Sequence, residues 1–167
     1  YLGSSFPKAT YGLNAGFEWK GLDMNLFFQG AAGVKGFLSF ELLGQPGDNV
    51  GKATSILLDA WTPENQSTTF PRLWSSYTQN EGNTNPSSFW VRNSSYLRLK
   101  NMQVGYTLPS TLVNKLGIKN LRLYYSGQNI LTFTSFYDWV DPEIPEKETG
   151  RTYPQVITNT IGVNVVF

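Results

Sequence analysis

Five carboxylates crowd one stretch of the chain: Asp138, Asp141, Glu143, Glu146 and Glu148. Groups of this type could supply the acid and base of a glycosidase, or the hard oxygen ligands of a calcium site. The spacing favours neither. It follows no calcium-loop pattern, and a catalytic pair needs a cleft that the sequence does not display. A solvated loop is expected instead, with Lys147 and Arg151 as nearby counter-charges. Zero Cys and zero His remove thiolates, zinc-thiolate sites and the commonest general base. A secreted hydrolase is therefore the weakest class, and no catalytic residue, metal or cofactor is expected. Asn65-Gln66-Ser67 and Asn93-Ser94-Ser95 match the glycosylation pattern and are read as chance matches.

Aromatic residues are the other chemistry-bearing group. Trp61, Trp74, Trp90 and Trp139, with Tyr77 and Tyr137, fall in or near long connections, where their faces could stack on sugar rings or on a peptide. Packing of the connections against one another is the stronger expectation, so these tryptophans are only weak ligand-binding candidates. The chain of 167 residues is 15% aromatic and only 15% charged, against an average of about 25% charged. Such a balance suits rings placed at two water–lipid boundaries, although a sugar-binding sandwich would share it. A net charge of +1 gives no field to attract nucleic acid.

The elements that carry these residues read as strands. Thr10 to Trp19 alternates Tyr11, Leu13, Ala15, Phe17 and Trp19 with Gly12, Asn14, Gly16 and Glu18. Lys20-Gly21 supplies a two-residue hairpin turn, and the return strand, 22–30, sets Leu22, Met24, Leu26 and Phe28 against Asp23, Asn25, Phe27 and Gln29. A third strand over 95–108 carries Met102, Val104, Tyr106 and Leu108 on one parity, but Leu97 and Leu99 on the other. That switch means a bulge near Lys100-Asn101 or a strand top leaving the lipid zone, and Arg98 and Lys100 favour the latter. Ser110 to Asn120 reads as a capped helical turn closing on Gly117. A fourth strand, 121–133, places Arg122 in the lumen, because facing mid-bilayer lipid would cost it about 2–4 kcal/mol. A fifth, 154–167, ends on Phe167.

Two long connections, about 31–94 and 134–153, separate these strands, and Lys52 to Trp61 is expected to form a short helix with Ile56, Leu57, Ala60 and Trp61 on one face. Tight turns alternate with long loops, as in bacterial outer-membrane barrels, whose turns are periplasmic and whose loops are extracellular. The expected fold is all-β: a transmembrane antiparallel β-barrel with a periplasmic C-terminus. Five strands cannot close such a barrel. The chain starts at Tyr1 without an initiator Met, so the rest of the barrel is expected from elsewhere. The alternative is a soluble, secreted β-sandwich that binds carbohydrate.

Three ordered segments, SYLRLKNMQVGYTLP, LGIKNLRLYYSGQNILTFTSFYDWVDPE and a terminal YPQ…GVNVVF, closely resemble the C-terminal end of SusC/RagA-type TonB-dependent transporters of Bacteroidota. TYGLNAGFEWKGLDMNLFFQGAAG, WTPENQ and FPRL fit the same family, so the resemblance covers nearly the whole chain. It implies the last five strands of a plugged barrel of about 22 strands. Its function would be as wall and outer loops of an importer of oligosaccharides or peptides. The implied partners are the remaining barrel and its plug, a SusD-like surface lipoprotein acting as lid, the TonB complex, the barrel-assembly machinery, outer-membrane lipid and a second transporter–lipoprotein pair. Phe167 would then serve as the barrel-assembly signal, or as a ring of the interfacial girdle.

Overall fold

The computed structural model describes residues 1–38, 55–66, 70–72, 85–137, 139–143 and 155–167. In chain order the strands are β1 (Ala9–Trp19), β2 (Leu22–Ala32), β3 (Lys35–Phe37), β4 (Val91–Asn93), β5 (Tyr96–Thr107), β6 (Asn120–Thr134) and β7 (Thr158–Val166). Five form one antiparallel sheet in the order β1-β2-β5-β6-β7, and β3 pairs with β4. The Lys20-Gly21 turn has φ of 47° and 88° at its two residues. This primed geometry matches the twist of the flanking strands, and it sets the register from Trp19 opposite Leu22 to Ala9 opposite Ala32.

Residues opposed across a ladder share a face, so the register sorts the whole sheet. One face carries Phe17, Met24, Val104, Tyr125 and Ile161 in one row, and Trp19, Leu22, Tyr106, Leu123 and Val163 in the next. At the other end the row is Tyr11, Gly30, Leu97 and Phe133. Aromatic rings therefore mark both ends of the apolar face. From Tyr11 to Trp19 eight steps at about 3.4 Å cover about 27 Å along the strand, or about 20 Å after a tilt of about 40°. This is the scale of the outward apolar band of a membrane barrel, about 25 Å. Leu13, Phe17, Trp19, Leu123, Leu131, Phe133, Ile161 and Val163 are all exposed. Among the described residues no second sheet covers them, as a soluble sandwich would require.

The parity switch in β5 is a bulge. Phe27 faces Asn101 and Phe28 faces Leu99, which leaves Lys100 as the extra residue. On the other side β6 passes from Gln128 to Leu131 while β5 passes from Asn101 to Leu99, and Asn129 takes a left-handed φ of 55°. The strand-top reading drawn from Arg98 and Lys100 is thus corrected. The inserted residue returns Leu97 and Leu99 to the apolar face and turns Arg98 to the polar one, opposite Gln29 and Thr132.

The remaining differences are local. The connection expected over 31–94 contains β3 and β4, which extend the sheet's loop end as a separate ribbon. The expected 52–61 helix is a 3-10 turn, Ser55–Asp59; it buries Leu57 and is followed by buried Ala60, while 52–54 and the Ile56 side chain lie outside the described residues. Helix α1 (Ser110–Val113) continues as a 3-10 turn, Asn114–Leu116. Its N-cap is Pro109, without a side-chain hydrogen bond, so Ser110 does not cap; Gly117 ends it with φ of 73°. The last strand starts at Thr158 rather than 154, and Phe167 stands exposed just beyond it.

Candidate functional site

Arg98 organises the loop end of the polar face. Its Nη2 lies 2.8 Å from Asp141 Oδ1 and its Nη1 3.2 Å from Glu143 Oε1. Its Nε donates to Thr132 Oγ1 at 2.8 Å. Lys100, the bulged residue, reaches Glu143 Oε1 at 2.7 Å. Only 3% of Arg98 is exposed. Two further bonds fix the acidic segment: the Glu143 N–H donates to Asp141 Oδ1 at 2.9 Å, and the buried Ser94 hydroxyl donates to the Pro142 carbonyl at 2.6 Å. Asp-Pro-Glu of the second long connection is therefore bolted onto β5. The expectation of a solvated acidic loop is corrected for Asp141 and Glu143, while Asp138, Glu146, Glu148, Lys147 and Arg151 lie outside the described residues. Both described carboxylates are committed to cations, which suits them to positioning rather than to proton transfer or metal ligation.

Beside this bolt the two long connections share a core of Leu38, Leu57, Phe70, Trp90, Phe136, Tyr137 and Val140, with Phe37 and Phe89 against it. The Trp90 ring meets Phe89 edge-on at 4.6 Å and is 2% exposed, so it packs the loops and presents no stacking face. Trp61 is half-buried, with the Arg72 guanidinium 5.8 Å from its ring centre. Trp74 and Tyr77 lie outside the described residues. Trp139 differs: it leans on Tyr137 at 5.6 Å and remains 44% exposed. It lines a groove of about 460 Å³ together with Arg98, Asn129, Thr132, Asp141 and Gln155. Burial pushes the Tyr137 hydroxyl above its usual pKa against the opposing pull of Arg92, whose guanidinium sits 4.5 Å over the ring, so Tyr137 is neutral at ordinary pH. The groove thus offers an aromatic face, two amides and hydroxyls. Asn129 and Gln155 carry no sequence signal beyond being polar; Arg98, a charge between two leucines, does signal that a counter-ion is required. Asn93 of the second glycosylation match is engaged internally, accepting from the Ser95 hydroxyl at 2.7 Å and donating to Ser135 at 3.2 Å.

A second charged pair holds the turn end of the polar face. Arg122 Nε donates to Asp23 Oδ1 at 2.9 Å across β5. Gly105 makes this possible, because a Cβ there would lie 2.6 Å from Arg122 Nε. Arg122 is thus on the polar face, as its charge demands. Replacing Gly105 with alanine is expected to push the guanidinium off Asp23 and to cost about 1 kcal/mol, the upper end for an ion pair within reach of solvent. A thermal shift of the folded protein measures it. Adding Arg122→Ala to Gly105→Ala should cost nothing further; an additive loss would show that the glycine matters for another reason.

A twisted antiparallel sheet with one uncovered apolar face between aromatic ends, and an opposite face of paired charges and small polar residues, is a piece of the wall of a transmembrane barrel. No family model matches the chain. Over 99% of its length, however, it is 35% identical to TonB-dependent receptor P3 of Formosa agariphila, covering 17% of that protein. Against TonB-dependent receptor P26 of the same organism it is 30% identical over 99% of its length, covering 18%. Its fold matches a chain of the RagAB peptide importer in the open-open state with a TM-score of 0.69 and 28% identity, covering 99% of this chain and 18% of that one. A structure of the RagAB peptide transporter gives 0.70 and 28%, covering 98% and 17%. The chain corresponds to the C-terminal barrel part of RagA-like TonB-dependent receptors, and it spans less than a fifth of the length of these relatives.

Proposed function

We propose that the chain forms wall and outer loops of a SusC-like importer in the bacterial outer membrane, which takes up oligosaccharides or peptides with TonB-derived energy and a SusD-like surface lipoprotein. The observation that carries this reading is the continuous, uncovered apolar face of a sheet that superposes on RagAB. In that setting the apolar face meets lipid, the polar face meets the aqueous interior, and the loop core of Trp90 and Phe136 stands outside the cell with Trp139 turned to the cargo path. β1 and β7 are edge strands in this chain, and the remaining strands of the same barrel would pair with them. The plug, the TonB contact and pairing with a second transporter–lipoprotein unit would belong to the rest of the assembly. The role is transport, with no chemistry on the cargo.

The test is uptake of labelled oligosaccharides and peptides by cells carrying the full-length protein, with and without TonB. One cargo class should enter only with TonB and the lipoprotein present; uptake of neither class would overturn the reading. Phe167→Asp is expected to lower the folded amount in the outer membrane severalfold without changing synthesis. Unchanged membrane yield would remove the assembly role of Phe167.

A further inference from the structure

The turn between β5 and β6 carries a feature that the barrel wall does not explain. It is firmly built: Val113 is buried, the Ile118 N–H donates to the Val113 carbonyl at 3.3 Å, the Leu108 N–H to Leu121 at 2.9 Å and the Lys119 N–H to Val166 at 2.8 Å. Yet it holds two leucines in the open. Leu112, in α1, is 60% exposed, and Leu116, at the end of the 3-10 turn that continues it, is 73% exposed. Lys115 and Lys119 lie beside them, and 110–120 contains no acidic residue. A tight turn that faced only water would have no use for two rigidly held, exposed leucines.

The bonds to β6 and β7 set this turn at the end of the sheet where the apolar row of Leu121 and Val165 finishes. Apolar side chains entering the acyl boundary while lysines extend to phosphates is the chemistry of an interfacial anchor. We propose that Ser110 to Lys119 seats on the anionic phospholipid headgroups at the periplasmic edge of the barrel, with Leu112 and Leu116 dipping into the bilayer and Lys115 and Lys119 holding phosphate. The inference rests on the membrane orientation given under the proposed function. Its occupant is lipid because positive charge meets anionic headgroups and the surface continues the apolar face. A plug segment or another periplasmic protein would be the rival.

The experiment uses the full-length protein in vesicles of phosphatidylethanolamine and phosphatidylglycerol, with a nitroxide at Leu112→Cys, Leu116→Cys or, as a reference on the apolar face, Leu123→Cys. Oxygen should reach the labels at 112 and 116 in preference to a water-soluble nickel chelate, approaching the ratio at 123. Lys115→Gln with Lys119→Gln, or vesicles of phosphatidylcholine alone, should shift both labels toward nickel. Nickel access at 112 and 116 with lipid contact at 123 overturns the anchor and leaves the barrel reading intact. Nickel access at all three overturns both. Labels shielded from oxygen and nickel alike mean a protein contact and overturn the anchor, and depths indifferent to the lysines and to lipid charge overturn the headgroup contact.

Discussion

Arg98→Met is expected to release the second long loop from the barrel wall. The side chains of Arg98 and Asp141 are 4% and 6% exposed, so the variant leaves a carboxylate buried without its cation, and Glu143 keeps only Lys100. Breaking a buried pair in this way costs about 3–5 kcal/mol, because the desolvation of the surviving charge is no longer offset. The cost falls on the loop rather than on the sheet: the ladder from Met102 to Thr107 opposite Arg122 to Gly127 does not depend on Arg98. Hydrogen exchange in the full-length protein should show loss of protection at Phe136, Tyr137 and Val140 to Glu143 with the strands unchanged, and, on the importer reading proposed above, uptake should fall because Trp139 loses its fixed position. Adding Asp141→Leu should restore much of the protection, since replacing both charges by apolar groups removes the stranded carboxylate. Intact protection in Arg98→Met, or a double variant no better than the single, would show that the loop is held by its aromatic core alone.

That outcome also bears on how the two long connections are built. Tyr137 and Phe136 belong to a core shared with Leu38, Leu57, Phe70 and Trp90, so residues from both connections stand or fall together. The ion cluster fixes where that small core sits on the wall. Residues buried this way include Trp90, whose type invites a binding role and whose position gives it a packing one.

Local pattern made most of the sheet readable. Strand side chains alternate with a period of two, so Tyr11 to Trp19 and Leu22 to Phe28 declare their faces without any knowledge of neighbours, and Lys20-Gly21 states its turn type through positive φ. The bulge was harder, because a parity change in β5 has two physical explanations, and only the pairing of Phe27 with Asn101 and Phe28 with Leu99 distinguishes them. The ribbon of β3 and β4 was invisible: three residues are too few to show a period, and their partners lie more than fifty positions apart. The same holds for the site. Arg98 and Asp141 are 43 residues apart, and no local rule joins them. Sequence pattern can say that a charge between Leu97 and Leu99 needs a partner, but only the tertiary fold brings Asp141 and Glu143 to it.

Leu13→Arg and Asn14→Arg should differ sharply, although the two residues are adjacent in β1 and both are exposed. Leu13 lies opposite Phe28 on the apolar face, and Asn14 lies opposite Phe27 on the other. In a soluble sheet with open faces, both substitutions would stay within about 0.5 kcal/mol. In a barrel, arginine on the lipid side costs about 2–4 kcal/mol near the midplane and less toward either interface, whereas the same side chain turned to the aqueous interior costs little. Leu13 lies between the Tyr11 end of the band and its middle, so about 1–2 kcal/mol is expected; since about 1.4 kcal/mol is a factor of ten in an equilibrium, Leu13→Arg should reduce the folded, heat-modifiable fraction in outer membranes about tenfold while Asn14→Arg stays near the parent. Leu13 is 61% exposed, so loss of packing within the chain cannot account for an effect of that size. A deficit confined to Leu13→Arg identifies hydrocarbon as the missing contact. Equal yields for the two variants would mean that neither face of β1 meets lipid, and the assignment of this sheet to a membrane wall would fall with that result.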